Sequence, residues 1–127
     1  MTNTNQNKNL EEILDGKKAN DIDSAIVVQI YKQINKKIEN KYNDFCNSEL
    51  YEASTLTADF INKKTGMPKG DVYKLLIEYY ELIAGRANNM ALAAGAAFPV
   101  SGDDYYYYRG FAQIYENTIS KIKKQIK

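Results

Sequence analysis

The run Thr55 to Ile83, TLTADFINKKTGMPKGDVYKLLIEYYELI, predicts two amphipathic helices joined by a tight corner. Leu56, Phe60 and Ile61 recur at helical spacing, and Thr55 or Thr57 is placed to cap the open backbone N–H groups. Gly66 follows the polar run Asn62-Lys63-Lys64-Thr65, where a left-handed residue is needed. Glycine takes that conformation without a Cβ clash. Pro68 cannot continue the first helix but suits the first turn of a second. Asp71 in that turn meets the positive end of the helix dipole. Val72, Leu75, Leu76, Tyr79, Leu82 and Ile83 then form one broad predicted stripe.

The rest of the chain reads as helices around this hairpin. Met1 to Lys8 is polar and aperiodic. Asn9 to Leu14 has the makings of one helical turn ended by Asp15-Gly16, and Lys17 to Asp23 reads as a linker. Residues 1–20 are therefore expected to be a flexible tail, ordered only by a partner, before one helical domain over 21–127. Asp21, Asp23 or Ser24 can cap the next helix. Its apolar face is Ile26, Val27, Ile30, Tyr31, Ile34, Ile38, Tyr42 and Phe45, opposite a lysine-rich face read as solvated, with phosphate binding as the alternative. Asn47 to Ser54 is expected to hold a break or kink before the hairpin.

After Ile83, Gly85 either ends or kinks the hairpin's second helix. Ala87 to Ala97 is a small-residue helix with Met90, Leu92 and Phe98 as larger contacts. Such a helix is central in a fold or pressed against another subunit. Pro99 to Asp104 punctuates, and a last helix is expected from about Asp103 to Ile126. Its face is Tyr108, Phe111, Tyr115, Thr118, Ile122 and Ile126, widened by Ile114 and Ile119. The fold class is all-α: a small multi-helix bundle around a helix–turn–helix hairpin, without β-arms.

Composition narrows the chemistry. The 127 residues carry 17 basic and 16 acidic side chains, so no global field draws the chain to nucleic acid or an anionic membrane. No histidine is present and Cys46 is the single cysteine, which excludes Ser-His-Asp and Cys-His catalysis, histidine-ligated metals and intrachain disulfides. Cys46 is expected to be a small packing residue. Asp103-Asp104 and Glu11-Glu12 diverge on a helix and read as caps and solvated groups, not acid–base dyads. Gly66 and Gly70 make no phosphate loop, since no G-K-[ST] follows. No catalytic site, cofactor or metal is expected. The polar start is no signal peptide, and Met90 to Val100 is too short to span a membrane. The expected location is a virion or the host cytoplasm.

Two groups of residues invite partners. Tyr105-Tyr106-Tyr107-Tyr108 cannot all face one core, because consecutive helical residues point about 100° apart. Tyrosine is favoured in interfaces, so this block, with Arg109, Phe98 and Met90, is the candidate protein interface. Ordinary packing and base stacking are the alternatives. The second group is basic: Lys63, Lys64 and Lys69 in the hairpin, and Lys121, Lys123 and Lys124 near the C-terminus. They are candidate phosphate contacts, although helix-dipole compensation accounts for the last three.

The run Ile61 to Ile83, with its K-T-G corner, lysine-rich helix start, Asp71-Val72 and apolar stripe, resembles the N-terminal hairpin of the HU and integration host factor family. The resemblance covers about a fifth of the chain. That family continues into a β-saddle and DNA-entering β-arms, and no alternating strand pattern follows here. The resemblance thus implies a helical hairpin, with no positions onto which the family's DNA-binding residues carry. A hairpin of this type without arms also looks like small virion proteins of tailed phages, crAss-like phages among them. The expected function is a non-enzymatic structural protein, a homo-oligomer contacting other structural chains as a head–tail connector or ring component. The alternatives are an HU-like DNA-binding protein and a small inhibitor of one host protein.

Overall fold

The computed structural model describes residues 9–39, 46–96 and 102–126. Five α-helices and no strand occur among them: α1 Leu10–Leu14, α2 Ser24–Ile38, α3 Asn47–Thr65, α4 Lys69–Ala96 and α5 Gly102–Ile126. The all-α expectation holds.

Helix starts follow side-chain oxygens. Asn9 caps α1 by accepting from the N–H groups of Glu11 (2.8 Å) and Glu12 (3.2 Å), while the Glu12 carboxylate accepts from Asn9 N–H. Asp23, one of three predicted candidates, caps α2 by accepting from Ile26 N–H at 2.9 Å. Between them lies the 3-10 turn Ala19–Asp21. Residues 9–20 are not the flexible tail that their composition suggests. Ile13 and Leu14 are buried in the core of the same chain, and Glu11 meets Lys64 of α3 at 2.7 Å. These two apolar side chains and the ion pair fasten the segment to its own chain. Residues 1–8 lie outside the described residues, as do Tyr42 and Phe45.

The hairpin corner forms as predicted at Gly66, which sits at φ 80° with its N–H on Asn62 C=O. Asn62 Nδ2 braces the corner by donating to Met67 C=O at 2.9 Å. Pro68 stands one residue before α4, its carbonyl accepting from Asp71 and Val72. The start of the first hairpin helix differs from expectation. Asn47–Ser54 is continuous helix rather than a break, so Thr55 and Thr57 are interior and cap nothing. Their hydroxyls instead donate back to Glu52 C=O and Ala53 C=O. Cys46 is the half-buried residue before α3 and gives no side-chain cap.

Gly85 neither ends nor separates a helix: α4 runs 28 residues and absorbs the Ala-rich segment. Ala84, Ala87 and Ala91 are buried on α4 and Ala112 on α5, so the two axes approach over small side chains. That packing outweighs the ~1 kcal/mol helix cost of a glycine. The apolar stripe of α4 also sits about one residue from its predicted phase. Tyr73, Ile77 and Tyr80 are buried, while Leu82 is 54% exposed; on α3, Leu56 is 39% exposed. α5 matches its predicted limits and face, with Tyr115, Thr118, Ile119 and Ile122 buried.

Tyr80 is the centre of the core. Its ring meets Tyr31 of α2 edge-on at 5.5 Å and Tyr115 of α5 at 5.4 Å. Its hydroxyl lies 2.7 Å from Ser54 Oγ of α3. Ser54 gives its own proton to Leu50 C=O, so Tyr80 is the donor in that pair. All four long helices therefore converge on one phenol. The shared core ends at Ala87 on α4 and Phe111 on α5. Beyond that level, among the described residues, α4 and α5 continue as a two-helix arm, with Ala91 buried and Tyr105 beside Gly95. No helix of the described residues is long and apolar enough to cross a membrane.

Candidate protein interface

The arm has two flanks, and the tyrosine block divides between them. Tyr105 is half-buried, its ring 3.5 Å from where a Cβ on Gly95 would stand. Tyr106 is 73% exposed and Tyr107 66% exposed, on different sides as the 100° helical step requires. Tyr107 stacks on Phe111 at 6.5 Å and 16°, and meets Tyr108 edge-on at 5.2 Å.

On the Tyr107 side an open groove of about 260 Å³ runs between α4 and α5. Ile83, Ala87 and Met90 form one wall, Tyr107, Tyr108 and Phe111 the other, with Arg86 at its edge. Met90 is 49% exposed, so the groove has an apolar floor and an exposed apolar rim. The structure thus brings Met90 together with Tyr107 and Tyr108. Phe98, the remaining apolar member of the predicted interface, lies outside the described residues.

Arg109 belongs to the other flank. Its guanidinium donates to Asn88 Oδ1 and lies 3.8 Å from Glu116 Oε2, while Asn88 Nδ2 donates to the same Glu116 oxygen at 3.0 Å. This clasp ties α4 to α5, giving Arg109 an in-chain role where the sequence indicates no partner. Arg86 is the groove residue that sequence reasoning misses. The signal that could find it is spacing: it falls three residues after Ile83 and four before Met90, on one helical face.

The candidate phosphate contacts lie among carboxylates. Lys64 pairs with Glu11 at 2.7 Å, Lys69 with Asp59 at 2.9 Å and Lys123 with Glu81 at 3.9 Å. Lys121 sits 4.1 Å above the Tyr51 ring. Lys63 and Lys124 are exposed. Exposed pairs of this kind contribute at most about 1 kcal/mol, but they dilute the positive field a phosphate would meet.

Among the described residues one carboxyl group is buried near the core. Glu49 of α3 is 4% exposed, and its carboxyl is raised from the ordinary range, first by desolvation and then by Glu39, with Asn35 opposing. A raised acid holds its proton more tightly folded than unfolded, so its contribution to stability is lost as pH rises through the folded value. Glu49→Gln is therefore expected to raise Tm at neutral pH, with the gain shrinking toward pH 4. A scanning-calorimetry series across that range checks it, and a neutral-pH loss would contradict it.

No protein-family model, no characterised protein and no solved structure matches this chain.

Proposed function

We propose that this chain is a non-enzymatic assembly protein whose α4–α5 arm docks onto another protein chain. The observation that carries this is the groove on the arm, with Met90 and Tyr107 exposed over an apolar floor. Aromatic and methionine side chains around a concave apolar patch are the composition of interface centres. Within assembly proteins, the resemblance of the hairpin to integration host factor-like virion proteins favours a head–tail connector component, working in a virion or the host cytoplasm. A DNA-binding role has less support, because three of its six candidate lysines face in-chain carboxylates.

Fluorescence anisotropy with a short mixed-sequence duplex, at low and at moderate salt, separates the two. The expected result is no binding at low salt. Micromolar binding that weakens steeply with salt would require several phosphate contacts and would overturn the assembly role as the primary one.

A further inference from the structure

Unlike charges stand at the edge of the groove and beyond it along the arm. Arg86 is exposed on α4 at its edge, between Ile83 and Met90. Asp103 and Asp104 are exposed in the first turn of α5, one turn beyond the Tyr107 side of the groove. Asp104 falls one helical turn before Tyr107 and Tyr108, so it shares their side of the helix. Because Tyr105 lies beside Gly95, Asp104 stands level with about residue 96 of α4. Arg86 is then about ten residues away, roughly 15 Å at the rise of an α-helix. Within one chain the opposite charges are too far apart to meet.

We propose that the occupant of this groove is a second copy of the same chain, joined about a two-fold axis passing near Met90 and Tyr107. Such an axis carries Arg86 of one copy onto the Asp103–Asp104 end of the other, and the reverse. Each pairing brings the two exposed aromatic rims together at the centre, where water is excluded, and leaves two sets of opposite charges at the edges. That is the pattern of a self-complementary contact: an apolar centre, a polar rim and every pair made twice. The inference rests on the arm being a docking surface and names what docks there. The faces of α2 and α3 stay open to other chains.

The charges give a test independent of the apolar contacts. Arg86→Glu alone sets Glu against Asp103 and Asp104 in both pairs, and Asp103→Lys with Asp104→Lys sets lysines against Arg86. Sedimentation velocity should show a dimer for the wild type and at least tenfold weaker association for each variant. Circular dichroism establishes that both variants are folded. Mixed in equal amounts, the two variants should regain association, because one of the two sets of charges, glutamate against the introduced lysines, becomes attractive and the other, arginine against aspartate, is restored by the same exchange. Wild-type protein that stays monomeric at roughly 1 mM would overturn the pairing, as would variants that dimerise undiminished. So would a mixture that fails to associate. A monomeric wild type that also ignores DNA removes only the second copy as occupant; steep, salt-sensitive duplex binding removes the docking role itself.

Discussion

Tyr80→Ala is expected to remove about 3–5 kcal/mol of stability, a large share of the 5–15 kcal/mol typical of a domain. The side chain is fully buried, and its loss opens a cavity against α2, α3 and α5 at once. Two edge-on ring contacts go with it, each contributing about 0.5–1.5 kcal/mol beyond burial. Tyr80→Phe keeps the rings and loses the hydroxyl's bonds to Tyr31 and to Ser54, which still has Leu50 C=O. That change should cost about 1 kcal/mol. Urea unfolding followed by circular dichroism gives both numbers. Equal costs would mean that the hydroxyl, not the ring, is what the four helices require.

Raising the pH above 10 is expected to unfold the protein through the same residues. Burial is the main reason the phenols of Tyr31, Tyr80 and Tyr115 are all raised, with mutual repulsion of the ionised forms adding to it. Hydrogen bonding with Ser54 and Tyr31 at Tyr80, and with Tyr31 at Tyr115, opposes it once the phenol oxygen is ionised and can only accept. Tyr115 is pushed up to about 12, and the other two higher still. An unfolded tyrosine ionises near 10. Above that pH the folded chain therefore holds more protons than the unfolded one, and stability falls as pH rises. At about 1.4 kcal/mol per pKa unit, Tyr115 alone accounts for a loss on the order of 2–3 kcal/mol. Of the eleven tyrosines, a fraction should gain tyrosinate absorbance only as the helical signal disappears. Full absorbance with the helices intact would show that these phenols are open to water.

What is legible in the sequence is local. The Gly66 corner, the Asp23 cap and the limits of α5 depend on a few adjacent residues, and each stands where its chemistry requires. What misleads are features settled by distant parts of the chain. Between Val72 and Ile83 the charged strip of α4 is only Lys74, Glu78 and Glu81, and the apolar face beside it is too broad for periodicity to fix its phase closely. The choice is made across helices, where the Tyr80 ring packs on Tyr31 and Tyr115 and its hydroxyl reaches Ser54. Gly85 reads as a stop or a kink, yet Ala112 on α5 gives the flanking alanines a surface to pack on, and the helix continues. Thr55 and Thr57 have the chemistry of caps but sit where Leu50 and Ala53 already hold the chain helical. At the candidate site, the tyrosine block is visible as a conflict with any single core. Its division into a groove side and a clasp side is not, because Arg109 is claimed by Asn88 and Glu116 through a helix pairing that periodicity does not specify.

The unbroken course of α4 gives the protein two levels of protection within one helix. Near Tyr80 its amides are shielded by α2, α3 and α5; near Met90, among the described residues, by α5 alone. Opening of the far half leaves the four-helix centre closed, so the two halves are expected to exchange as separate cooperative units. A chain that grips the arm thereby orders a segment the core does not hold, and slow amide exchange there becomes the signature of capture.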